Sequence, residues 1–119
     1  HYTPNVLGIY LLNRVLQDMQ EIQHIDQNLR RRMSQLEDCV AKTKTLRLLV
    51  DNQQARSTTV LGVTGLEDTI SQVKKAAEKE GMQLGSGYGP LKPISFRIAN
   101  FPAITDAEME KLIAFLSQY

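Results

Sequence analysis

From Pro4 to Met19 the chain carries apolar side chains almost all the way round a helical wheel. Val6, Leu7, Ile9, Tyr10, Leu11, Leu12, Val15, Leu16 and Met19 fill nine of sixteen positions. A helix apolar on several sides is buried on several sides. The chain has 119 residues, enough for one domain. A domain of that size covers one face of such a helix and struggles to cover the rest. The sequence thus expects a neighbour here, either another domain or another subunit. His1 in place of a start methionine suggests the same, a piece of a longer protein. Thr3-Pro4 reads as the helix entrance, with Thr capping free amides and Pro at the first helical position.

The remainder is more conventional. Ile22, Ile25, Leu29, Met33, Leu36 and Val40 recur at steps of three and four, predicting an amphipathic helix from about Ile22 to Thr43. Strands are expected at Leu46 to Val50 and Thr58 to Thr64. Thr64-Gly65-Leu66-Glu67 has the form of a capping box, opening a helix with Leu66, Ile70, Val73 and Ala77 buried and Gly81 at its end. Met82 to Leu84 reads as a short strand, followed by the loop Gly85-Ser86-Gly87-Tyr88-Gly89-Pro90-Leu91-Lys92-Pro93. A strand from Ile94 to Phe101 comes next. A second capping box, Thr105-Asp106-Ala107-Glu108, then starts a helix burying Met109, Leu112, Ile113 and Leu116, with Ile104 and Met109 as a hydrophobic staple. This order predicts an α+β fold: a small, mostly antiparallel sheet of three to four strands covered by helices.

Composition excludes several functions. Leu, Ile, Val and Phe total 33 of 119 residues, too many for a disordered chain. Fourteen Lys and Arg balance thirteen Asp and Glu, so bulk charge recruits neither nucleic acid nor membrane. No segment has the length and apolarity to span a bilayer or to serve as a signal peptide. The single cysteine, Cys39, forms no internal disulfide and suits a reducing, cytoplasmic setting. Arg30-Arg31-Arg32 shares its helix with Asp26, Glu37 and Asp38 and reads as a solvated face with intrahelical pairs.

Little of the chain carries chemistry. There is no phosphate-loop lysine and no metal-ligand spacing, and His24 and Cys39 stand fifteen residues apart on one helix. No carboxylate pair suggests acid/base work, so no catalytic residue is assigned. Arg97 is more informative. Strand alternation places Ile94, Phe96 and Ile98 on the core face and Arg97 on the other, between small Ser95 and Ala99. Two readings stand for it on the residues alone. It is a solvated strand arginine, or it is a rigid fork for bidentate capture of a carboxylate.

Thr3-Pro4-Asn5-Val6-Leu7-Gly8-Ile9-Tyr10, Gly87-Tyr88-Gly89 and Phe96-Arg97-Ile98-Ala99-Asn100-Phe101-Pro102-Ala103 resemble class V pyridoxal-phosphate aminotransferases, most closely phosphoserine aminotransferases. The likeness runs along the whole chain, as that family's C-terminal small domain and the segment leading into it. It implies residues 1–20 as a connecting helix from a large domain and residues 21–119 as the small domain. It implies further that Arg97 grips the α-carboxylate of a small amino-acid substrate. Tyr2 and Thr3 would reach the phosphate of pyridoxal 5'-phosphate in the partner subunit of a homodimer, a role apt for a helix N-terminus. The lysine that forms the Schiff base would lie upstream of residue 1, leaving the chain inactive alone and without cofactor. In these enzymes a His-Arg pair before the strand often helps hold a substrate phosphate; here Pro90 and Leu91 fall at about those places, with Lys92 one step on. Serine–pyruvate or alanine–glyoxylate transamination is the alternative within the class. A stand-alone interaction module, docking a partner through its first helix, is the alternative outside it.

Overall fold

A computed structural model describes residues 4–119; residues 1–3, and with them Tyr2 and Thr3, lie outside the described residues. Alternating apolar residues form β1 (Leu46–Leu48), β2 (Val60–Gly65) and β4 (Ser95–Ala99), joined at the edge by the two-residue β3 (Gly85–Ser86). They make one antiparallel sheet in the order β1-β2-β4-β3. Pairing sets Leu46, Leu48, Leu61, Val63, Phe96 and Ile98 on one face, where α2 (Ile22–Lys42), α3 (Glu67–Lys79) and α4 (Asp106–Leu116) cover them. The helices contribute Met33, Leu36, Val40, Ile70, Val73, Ala77, Met109, Phe115 and Leu116 to one continuous core. The expected α+β class is what the chain adopts, in two layers, with no helix among the described residues on the far face of the sheet.

Local chemistry fixes the boundaries. Around Gly81, which has φ +75°, Met82 N–H donates to Ala77 O and Gly81 N–H to Glu78 O, closing α3 with a left-handed turn. The capping box at α4 forms as expected: Glu108 N–H donates to Thr105 Oγ1, and Thr105 N–H donates to Glu108 Oε2. The one expected at α3 does not. Thr64 lies within β2, its hydroxyl donates to Ile94 O at 2.8 Å, and Leu66 becomes the N-cap with its side chain in solvent. The strand expected at Met82 to Leu84 is shifted to Gly85–Ser86.

The first helix, α1 (Val6–Asp18), starts two residues later than Pro4 would place it, because Asn5 is the cap: its Oδ1 accepts from Gly8 N–H at 2.9 Å. No residue of α1 is buried, and Leu7 remains 68% exposed. A chain of this length packed into a sphere-like domain has a radius of gyration of about 13.5 Å. The observed 17.1 Å and a long axis of 54 Å reflect a helix that leaves the body. Ile22, at the start of α2, is exposed as well, so the buried stripe of α2 begins at Leu29.

Candidate functional site

The uncovered face of the sheet is where Arg97 stands. Cross-strand pairing puts Gly62 of β2 on one side of it and Gly85 of β3 on the other. Directly opposed residues in an antiparallel pair share a face, so Arg97 is flanked by two positions with no side chain. A Cβ at Gly85 would sit 3.3 Å from Arg97 O, so glycine there eases the close approach of the two strands, and the guanidinium leans over the edge strand. It leans far enough for Nε–H to donate to Ser86 O at 2.9 Å. The ring of Tyr88 lies against the guanidinium, 4.1 Å from its central carbon to the ring centroid.

The loop that delivers Tyr88 is tightly held. Gly87 is buried, and a Cβ there would collide with Ser95 Oγ and lie 2.8 Å from Leu91 O. Ser95 Oγ donates to Leu91 O at 2.6 Å, and Leu91 N–H donates to Tyr88 O at 3.0 Å. Gly89, with φ +49°, takes the left-handed conformation the turn needs. Ser95, expected to leave open space beside Arg97, is instead roofed by this loop and buried. The Gly62 side is taken by Leu49, whose Cβ and Cδ2 would each lie 3.1 Å from a Cβ at Gly62.

Arg97 is half-buried, and among the described residues no carboxylate pairs with it. Its Nη groups accordingly keep their donors for a ligand, in the fork geometry that matches a carboxylate. Cys39 is buried between α2 and α4, its Sγ donating to Ile113 O at 3.5 Å, and burial pushes its thiol up from the ordinary value. That makes it a core residue, not a nucleophile. Among the described residues no cluster of metal-ligating side chains occurs, and no helix is long and apolar enough to cross a membrane. The described residues do not by themselves fit pyridoxal phosphate. No lysine stands on the strands of the open face, and the phosphate contacts expected of Tyr2 and Thr3 fall outside the described residues.

Two polar residues carry more than their sequence positions suggested. Arg32, expected on a solvated face, is buried: Nε donates to Asp106 Oδ1 at 2.6 Å and Nη1 to Ile104 O at 2.7 Å, with Arg31 joining the same oxygen at 2.9 Å. The Arg32 hydrogen bond holds the Asp106 carboxyl below its usual range. Asn100, in the Phe96–Ala103 string, is fully buried; Nδ2 donates to Leu29 O at 2.8 Å and Thr58 O at 2.9 Å. Neither residue touches the open face. Both fix the turn after β4 to α2 and so hold the strand that carries Arg97. The sequence reading ran the strand on through Phe101 and assigned Asn100 no role.

No protein-family model and no curated protein matches the sequence. Solved structures do match. A phosphoserine aminotransferase from Cytophaga hutchinsonii superimposes with a TM-score of 0.87 at 29% identity, over 98% of this chain and 33% of that one. The phosphoserine aminotransferase of Bacillus circulans subsp. alkalophilus gives 0.84 at 21% identity, with 98% and 33% covered. An alanine–glyoxylate aminotransferase from Nostoc sp. gives 0.60 at 23% identity, with 81% and 25% covered. The chain thus has a phosphoserine-aminotransferase-like fold, shared with other class V pyridoxal-phosphate aminotransferases, and spans about one third of the length of the phosphoserine aminotransferases it matches.

Proposed function

We propose that this chain is the C-terminal small domain, residues 21–119, with the connecting helix, residues 1–20, of a phosphoserine-aminotransferase-like enzyme. The parent moves an amino group between glutamate and 3-phosphohydroxypyruvate, a step of serine biosynthesis, as a cytoplasmic homodimer using pyridoxal 5'-phosphate. In it the large domain and the partner subunit cover α1, and Tyr2 and Thr3 reach the partner subunit's cofactor phosphate. The observation that carries the reading is the Arg97 fork: unpaired among the described residues, on a face that no helix of this chain covers, in a fold shared with phosphoserine aminotransferases.

The geometry of Arg97 supports this role. A guanidinium held at Nε and stacked on Tyr88 binds a carboxylate through its outer nitrogens without first losing rotamer freedom. Fixing the α-carboxylate fixes the substrate's Cα, which is orientation rather than proton transfer. The groups that move protons belong to the part of the parent outside this chain, and the chain alone is inert.

A second reading keeps the class and changes the substrate to alanine and glyoxylate or serine and pyruvate. It is favoured by the likeness to the Nostoc structure and by Pro90 and Leu91, which bring no charge to the short turn beside Arg97. Amino-donor profiling of the full-length protein separates the two. Phosphoserine outperforming alanine supports the first reading; indifference to phosphoserine refutes it.

A further inference from the structure

The geometry points to Tyr88 as a positioning residue that sets how a carboxylate reaches Arg97. This rests on the reading of Arg97 as the carboxylate fork and goes beyond it. A guanidinium offers a carboxylate two in-plane docking edges, one made of Nε and an outer nitrogen, the other of both outer nitrogens. In this chain the first edge is taken, because Nε–H donates to Ser86 O at 2.9 Å. The ring of Tyr88, 4.1 Å from the guanidinium carbon, occupies one face of the plane. What remains is end-on approach by the carboxylate to the two outer nitrogens, with the rest of the ligand passing the tyrosine ring.

Tyr88 is 71% exposed, an unusual state for an aromatic ring that belongs to no core. Its backbone, by contrast, is fixed: Gly87 is buried under the loop, Ser95 Oγ donates to Leu91 O, and Leu91 N–H donates to Tyr88 O. A rigid loop holding an exposed ring against a cation serves the cation. The ring shields one face of the guanidinium from water and keeps its plane pointed at the open side of the sheet. The ring face does this, so the phenol hydroxyl is dispensable.

The test uses the full-length protein and O-phosphoserine as amino donor, with phosphoethanolamine, which lacks the α-carboxylate, as a competitive inhibitor. Tyr88→Leu is expected to raise KM for phosphoserine roughly three- to thirtyfold, the range of a cation–ring contact from exposed to desolvated. It should leave kcat and the phosphoethanolamine inhibition constant within about twofold, and Tyr88→Phe should restore KM. A Tyr88→Leu variant with unchanged KM, or one that weakens both ligands equally, overturns the proposal. Arg97→Lys is run beside it. If that variant raises KM while Tyr88→Leu does not, Tyr88 is a bystander and the Arg97 reading stands; if Arg97→Lys leaves KM unchanged, the fork itself is misassigned.

Discussion

The side-chain amide of Asn100 donates to the main-chain carbonyl of Leu29 at 2.8 Å, across 71 residues of sequence. The same nitrogen donates to Thr58 O, so one fully buried group joins α2, the segment before β2 and the end of β4. Asn100→Ala takes that donor from the buried Leu29 carbonyl and the part-buried Thr58 carbonyl. Each such loss costs about 1–3 kcal/mol, and urea unfolding followed by far-ultraviolet circular dichroism should show a lower midpoint with an unchanged slope. Asn100→Asp should be no better, since a carboxylate offers those carbonyls no proton.

Acid should unfold this domain in part through α4. Arg32 hydrogen-bonds the Asp106 carboxyl and lowers its pKa, and the Thr105 N–H does the same for Glu108. The folded state therefore binds these two protons less readily than the unfolded chain. Their contribution is complete above the unfolded pKa values of about 4. It drains away as pH falls through that value toward the folded ones. Stability measured against pH should be level from neutral down to about pH 5 and then decline. The decline should be shallower in Asp106→Asn combined with Glu108→Gln.

These same residues show how far the sequence could be read. Periodicity located the buried stripes of α2, α3 and α4 apart from Ile22 and Leu66, which are exposed, and alternation correctly separated Phe96 and Ile98 from Arg97. Patterns of residue type failed where a polar side chain had two partners to choose from. Thr64 looked like a cap, but its hydroxyl donates to the carbonyl of Ile94 and the N-cap position falls to Leu66. Arg32 looked solvated in a triple-arginine run, yet a single carboxylate 74 positions away and the Ile104 carbonyl draw it inside. The glycines flanking Arg97 were invisible for another reason: Gly62 and Gly85 become its neighbours only through strand register, which composition does not encode. Tyr88 was legible as part of a Gly-rich loop, but its stacking on Arg97 was not.

Gly87 is the tightest point of the loop beside the site. A Cβ there meets both Ser95 Oγ and the Leu91 carbonyl. Gly87→Ala should destabilise by about 1–3 kcal/mol, as overpacking does. Adding Ser95→Ala should recover only part of that loss, since the Leu91 backbone cannot be trimmed. Thermal unfolding of the single and double variants gives the comparison directly.

The exposed apolar helix has a different signature. Leu12 and Leu16 are 58% and 60% exposed, so Leu12→Lys combined with Leu16→Glu removes no core packing. Stability should change by under about 0.5 kcal/mol per site. Because an apolar surface of this kind drives association, the isolated chain should self-associate by light scattering and the double variant should be monomeric. By contrast, Leu36→Ala in the fully buried stripe of α2 should cost about 2–5 kcal/mol.

If Arg97 is the carboxylate fork of an aminotransferase, turnover depends on it. Glutamate formation from O-phosphoserine and 2-oxoglutarate is measured for the full-length protein and for Arg97→Ala. The full-length protein should turn over, and Arg97→Ala should lose about 2–5 kcal/mol of transition-state stabilisation, the cost of truncating one member of a desolvated charge pair. No turnover by the full-length protein, or turnover that Arg97→Ala leaves near its original rate, would contradict it.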